Sequence, residues 1–428
     1  MTRRAIVLVL DGLRRDWVTP DLTPAIHGFG DRATSFTRHR SVFPSCTRVV
    51  SASVATGCLP ARHGIQGNML ALMEGGRPVL HDVGPPGFFD HRRAVTGRAM
   101  DCPTWAERLA GMGGCVVFSN VSPGAAHGQD PDGHGRVYHR AGSYGPGRVA
   151  LASPEALSVT PDTAGDAAMV ARFRTEVLEG ARPALGVLWC GNPDTAQHRV
   201  VLGSPEHHAV LREVDRIVAG LLDRIAAQDD TLVVLASDHG HEAVCGSIDV
   251  GAALRAEGFM DRPGGADIAV APNGSAVLIY LGPQAQGLRD ALADWIAAQP
   301  WSGAVHSGDG LAAVGLSAAH GLALAVSLAA SDAPNAFGVT GTTLVAGRPD
   351  LDGPALGTGT HGGLGAGAQA PFLMMRGHGF APGATDARPT SAIDIAPSVL
   401  HHLGLGADGM DGRALQLPSS ASPKGATT

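Results

Sequence analysis

The sequence predicts an α/β fold, a mostly parallel central sheet covered by helices on both faces, with a small inserted α/β subdomain. Three observations lead there. Short runs of apolar, often β-branched residues recur along the chain, as at 5–10 and 231–236, the pattern of strands buried on both faces. Stretches of helical periodicity separate these runs, and parallel strands need such crossovers. Acidic or histidine residues follow several of the runs directly, at the strand edge where open α/β sheets bind ligands.

Taken in order, residues 5–10 read as a buried strand ending in Asp11-Gly12, and residues 24–30 as a helix or loop. Residues 41–68 organise the rest. They read as a loop carrying Thr47, a helix behind it closed by Gly57, and a second loop returning to the same place. Thr47 alone fits an N-cap. It equally fits a reactive hydroxyl at a helix N-terminus, where N–H groups and the dipole favour negative charge. Residues 69–100 read as a long Gly/Pro-rich surface excursion, 104–110 as a helix and 114–118 as a strand. His127, His134 and His139 fall in an aperiodic stretch with no metal-ligand spacing and are read as loop histidines.

Residues 163–180 have helical periodicity, and the strand at 183–190 leads to Asp194 and His198. Residues 206–227 form the clearest amphipathic helix, with apolar positions at 210, 211, 214, 217, 218, 221 and 222. The strand at 231–236 runs into Asp238-His239. Within 251–350 there are strand-like and helical segments but no ligand-like cluster, so this stretch is read as the inserted subdomain. The catalytic domain is then 1–250 with 351–417, which includes His361, a last strand at 370–375 and a helix at 393–403. Residues 418–428 read as a disordered tail.

Composition narrows the function. Of 428 residues, 44% are hydrophobic and 17% charged, the profile of a soluble globular protein. The net charge of -7 argues against a nucleic-acid-binding surface. The apolar run at 5–10 is too short for an export core or a membrane span, so no membrane association is expected. The six cysteines contain no C-x-x-C pair and are expected to be reduced thiols in a cytoplasmic protein.

Asp11, Asp194, Asp238, His198, His239 and His361 supply three carboxylates and three imidazoles, with the Thr47 hydroxyl beside them. That donor set suits two divalent metal ions, zinc first by ligand type. Asp194 and His198 are four apart and face the same way on a helical turn. Each piece alone is a weak signal. Several such pieces following successive buried strands are far more specific.

At these residues the chain resembles the alkaline phosphatase superfamily, and within it the type I phosphodiesterase/nucleotide pyrophosphatase family. The matching motifs are LVLDG at Asp11, FPSCT at Thr47, TGCLPARHGIQGN ending at Asn68, NPDTAQH at Asp194 and His198, SDHG at Asp238 and His239, and THGG at His361. The resemblance implies one zinc held by Asp194, His198 and His361. It implies a second held by Asp11, Asp238 and His239 with the Thr47 oxygen beside it. It also implies that Asn68, twenty-one residues after Thr47, binds a phosphoryl oxygen. A metal-activated Thr47 would attack phosphorus, and water would hydrolyse the phospho-threonine. The expected activity is hydrolysis of phosphodiester or pyrophosphate bonds in a small-molecule phosphate ester.

Two departures bear on substrate. Nucleotide hydrolases of the family tend to place Phe after the nucleophile, and Arg48 stands here. Relatives acting on phosphomonoesters or phosphonoacetate use Lys to hold extra charge, yet the only Lys is Lys424 in the tail. Arg48, or an Arg within 136–148, could substitute. The alternatives are therefore a phosphonate, phosphomonoester or, less readily, sulfate ester hydrolase, and a metal-dependent phosphomutase on the same site.

Overall fold

The computed structural model describes residues 3–228, 230–347 and 355–417, so the expected tail at 418–428 lies outside the described residues. A parallel ladder runs through its centre. Arg4–Leu10 pairs in parallel with Leu185–Cys190 on one side and Thr231–Ala236 on the other. Val116–Ser119 extends the ladder beside Leu185–Cys190, followed by Arg136–Tyr138. Leu373–Arg376 closes the other flank antiparallel to Thr231–Ala236, and Thr34–Phe36 lies beyond it. The expected last strand is therefore present, with its direction reversed relative to the parallel core.

Alternation along Arg4–Leu10 builds two cores. Ala5, Val7 and Val9 face the helices Thr47–Thr56, Trp105–Arg108 and Ile395–His402. Ile6, Leu8 and Leu10 face Pro205–Ala226 and Thr163–Phe173, whose Leu211, Val214, Val218 and Phe173 are buried. The last of these helices continues as a wider π turn over Arg174–Ala181. Thr163–Phe173 begins at Asp162, whose side chain accepts from Gly165 N–H, and Pro205–Ala226 begins at Ser204, which accepts from His207 N–H.

Residues 69–100 are more ordered than the sequence reading expects. Met69–Glu74 and Arg77–Asp82 form an antiparallel hairpin, and Phe88–Thr96 is a helix packed against it. The turn is Gly75-Gly76, both at positive φ (56° and 80°), a conformation glycine adopts without steric cost. The Gly-Gly pair between two apolar runs was the legible signal for this hairpin.

The stretch 251–350 contributes to two sheets. Ile268–Asn273, Ala276–Leu281, Leu322–Leu328 and Ser302–Ser307 form an antiparallel sheet, covered by Arg289–Ala297. Ala330–Pro334 and Thr340–Ala346 instead join Glu242–Ile248 and Gly359–Thr360 in a second small sheet. No helix among the described residues is long and apolar enough to cross a membrane.

The two-sided core yields a stability prediction. Leu8 is fully buried, so Leu8→Ala should cost about 2–5 kcal/mol in urea denaturation. Leu356, 70% exposed, should cost no more than about 0.5 kcal/mol on the same substitution.

Candidate functional site

Because the core strands are parallel, their C-terminal ends share one edge. Asp11 follows Arg4–Leu10, Asn192 to Asp194 follow Leu185–Cys190, Asp238-His239 follows Thr231–Ala236, and Asn120 follows Val116–Ser119. Candidate ligands far apart in sequence therefore meet at the same place. Two groups form, Asp11 with Asp238 and His239, and Asp194 with His198, His241 and His361. They adjoin, since the His239 and His361 rings stack with centroids 3.7 Å apart.

Thr47 sits in the first turn of Thr47–Thr56, with Cys46 rather than Thr47 in the capping position. Its Oγ1 lies 3.1 Å from His239 Nε2 and 3.5 Å from Asp11 Oδ1. Asn68 reaches the same place from the second loop, where its Oδ1 accepts from Arg48 N–H at 3.2 Å. That leaves the two amide N–H donors of Asn68 for the cavity it lines. The cavity, about 260 Å³, is bounded by Asp11, Thr47, Asn68, Asp194, His198 and His361. A larger cavity of about 580 Å³ lies between the hairpin and the inserted sheet, away from all of these residues.

The backbone orients the imidazoles. His198 Nδ1 lies 2.9 Å from Gly359 O, His239 Nδ1 3.1 Å from Gly240 O, and His361 Nδ1 2.7 Å from Ser45 O. A carbonyl can only accept, so each Nδ1 carries the proton, and at His239 and His361 the Nε2 turns a lone pair into the site. Burial drives the His239 pKa down to about 3 and that of His361 well below its usual value. Both rings are therefore neutral, the state a metal requires. Among the carboxylates, burial first and then the charges of Asp238 and Asp194 push Asp11 well above the usual range. Burial, with the Asp194 charge adding, lifts Asp238 to about 8. Asp194 is lowered, because the charges and hydrogen bonds of His198 and His241 outweigh its burial. Against its burial, the Asp194 charge raises the His198 pKa, while the clustered acids beside the neutral His239 and His361 rings form a donor set that divalent cations fit.

His241 was missed in the sequence reading, although it stands two residues after His239 in the run Asp-His-Gly-His. It is fully buried, and its Nε2 lies 2.8 Å from Asp194 Oδ1. Its orientation differs from the other three rings. Nε2 meets the carboxylate directly, and Nδ1 is buried with no hydrogen-bond partner among the described residues. An Nε2–H donated to Asp194 holds that carboxylate in place, as partners of metal-binding carboxylates do. Asp166 is a second unforeseen support. It accepts from Gly191 N–H, Asn192 N–H and Asn192 Nδ2, and so fixes the loop carrying Asp194. Trp189 Nε1 donates to Asp11 Oδ2 at 2.8 Å, and Gly12 N–H donates to Asp238 Oδ1 at 3.0 Å.

Residues 5–298, more than half of the chain, match the family model described as type I phosphodiesterase/nucleotide pyrophosphatase. The chain belongs to that family. Family members are metal-dependent phosphoric ester hydrolases, and this chain is one of them. No curated protein matches it. Among solved structures, murine ectonucleotide pyrophosphatase/phosphodiesterase 5 shares the fold with a TM-score of 0.66 at 18% identity, covering 96% of this chain and 97% of that one. An inactive threonine-to-alanine variant of the mouse protein, in complex with AMP, gives a TM-score of 0.65 at 18% identity, with the same coverage. Phosphonoacetate hydrolase from Sinorhizobium meliloti 1021, in complex with phosphonoformate, gives 0.63 at 17% identity, covering 94% and 96%.

Of the arginines singled out for substrate, Arg48 and Arg140 border the cavity, and they differ. Arg48 Nη1 pairs with Asp82 at 2.8 Å, its Nε donates to Ser122 Oγ and its Nη1 also reaches Asn68 O. Arg140 Nη1 donates to Asn120 O, Asn120 Oδ1 and Val121 O, with no ion pair among the described residues. Both line the cavity with Thr47.

The donor set predicts that chelation will lower the melting temperature of the purified protein and that a divalent metal ion will restore it. An identical melting curve with and without chelator, after complete metal removal verified by elemental analysis, would count against metal binding at these two groups.

Proposed function

We propose that the protein is a two-zinc hydrolase of phosphodiester or pyrophosphate bonds, working through a covalent phospho-threonine on Thr47. The observation that carries this reading is the Thr47 hydroxyl, set at a helix N-terminus between His239 and Asp11 and facing the Asp194 group. Asp194, His198 and His361 would hold one ion, with His241 steadying Asp194, and Asp11, Asp238 and His239 the other. Bound there, such ions supply charge neutralisation and lower the pKa of an adjacent hydroxyl.

The chain's own residues then divide the remaining tasks. Thr47 Oγ1 loses its proton and bonds to phosphorus as the bond to the leaving oxygen breaks. Asn68 donates to a non-bridging phosphoryl oxygen, and the first-turn N–H groups of Thr47–Thr56 favour the same charge. Water then opens the Thr47–O–P bond, releasing the phosphoryl product and restoring the hydroxyl. A small-molecule substrate fits a cavity of about 260 Å³. A cytoplasmic location belongs to the same reading.

Arg48 and Arg140 bear on substrate class. The charge of Arg48 is already matched by Asp82, which favours singly charged diesters at Thr47. Arg140 has only uncharged hydrogen-bond partners, the oxygens of Asn120 and Val121 and the neighbouring His139 ring, and keeps its charge available to a further anionic group. The second phosphate of a pyrophosphate would use it. A phosphonate would use it too, and this is the second reading that Arg140 supports.

Thr47→Ala should lower turnover of an aryl phosphodiester by on the order of 10⁴-fold while zinc content stays near the wild-type value. Acid quench and mass spectrometry should find Thr47 carrying the phosphoryl group with the one ester arm that has not left. Undiminished turnover in Thr47→Ala would end the nucleophile assignment. For substrate class, Arg140→Ala should reduce kcat/KM for a pyrophosphate diester about 10- to 100-fold more than for bis(p-nitrophenyl) phosphate, the range of a hydrogen bond to a charged group. Equal losses on both substrates would remove Arg140 from the specificity argument. Release of inorganic phosphate from a phosphonate at a higher kcat/KM than from either ester would favour the second reading.

A further inference from the structure

Outside the catalytic edge, Glu74 closes the first strand of the hairpin, His81 lies near the end of the second, and His91 stands on the helix Phe88–Thr96. Glu74 shares a strand face with Leu70 and Leu72, and His81, opposite Leu70, projects from that same face. The helix covers this face, burying Phe88 and Phe89 with Leu70 and Leu72. Packing therefore brings His91 to the two hairpin residues. His81 Nε2 lies 2.5 Å from Glu74 Oε1 and His91 Nε2 lies 3.0 Å from the same oxygen. The imidazole centroids are 4.5 Å apart.

We propose that Glu74, His81 and His91 form a separate site for one divalent transition-metal ion of the zinc class. Two imidazole nitrogens and a carboxylate oxygen within 4.8 Å of one another are a nitrogen/oxygen donor set of the kind zinc takes with a fourth position left to water. The donors are partly open to solvent, with His91 the most exposed, so an ion can enter without rearranging the fold. They are also held in place beforehand. Arg77, beside the turn, donates to Asp267 Oδ1 and Ala266 O, and Met73 N–H donates to His320 Nδ1. Hydrogen bonding alone would place both imidazoles on a single oxygen. A metal ion uses the same convergence and replaces those contacts with three ligand bonds.

Occupancy ties the helix to the hairpin. The hairpin ends carry cavity residues, since Asn68 precedes Met69 and Asp82 pairs with Arg48. The bound ion thus stiffens one wall of the catalytic cavity without contributing to its chemistry.

The test uses the full chain without an affinity tag, dialysed against buffered zinc, with zinc per chain measured by elemental analysis. Glu74→Gln and the double variant His81→Ala/His91→Ala should each hold one zinc fewer than wild type, keep phosphoesterase activity, and lose a Co(II) d–d absorbance present in wild type. Because the readout is a difference between variants, it does not depend on how many ions the catalytic groups hold. Glu74→Gln changes only the end of one side chain and guards against misfolding of the double variant. Wild type and folded Glu74→Gln binding equal zinc, with identical Co(II) spectra, would overturn the site.

Discussion

Carboxylates crowded at one edge of a sheet govern much of this structure. Asp11 and Asp238 are buried and Asp194 is largely so, and each raises the cost of ionising another. Removing charge from water is expensive unless opposite charge or hydrogen bonds replace the solvent. The surroundings answer that demand with fixed donors. Trp189 serves Asp11, Gly12 N–H serves Asp238, and His241 serves Asp194. These donors orient the acids but do not neutralise them, and a metal-dependent hydrolase uses that remaining imbalance to hold its cations.

Support extends outward in layers. Asp166 is itself buried and spends its acceptors on the Gly191-Asn192 backbone and on the side chains of Asn192 and Asn120. Asn120 in turn receives Arg140. One buried carboxylate therefore links the loop that carries Asp194 to the cation that borders the cavity. Each side chain in this chain of contacts has a hydrogen-bond partner, and such networks favour a single arrangement when their members are satisfied.

The strands, the helices and the acidic and histidine residues at the strand ends were largely legible, because burial on two faces leaves continuous apolar runs and solvent on one face leaves helical periodicity. Where reading failed, the reasons are physical. The hairpin at Met69–Glu74 and Arg77–Asp82 was masked by the Gly/Pro content around it, although Gly75-Gly76 marked the turn. Ala330–Pro334 and Thr340–Ala346 look like the strands before them, and nothing local says that they join Glu242–Ile248. His127 and His139, read as histidines without a metal role, stand outside the candidate metal groups, and both are buried and meet the backbone carbonyls of Gly142 and Val121.

By itself the sequence determined which residue types stand at the ends of which strands, and thereby the family and the donor set around Asp11, Asp194, Asp238, His198, His239 and His361. Those are local properties, written in runs of a few residues. Only the tertiary structure decided that His241 turns its Nε2 onto Asp194, that Arg48 is matched by Asp82 while Arg140 rests on neutral oxygens, and that His91 meets Glu74 and His81. Each of these depends on where a side chain finds its partner, from 7 to 47 residues away along the chain. Packing and register set such partnerships, and no local pattern carries them.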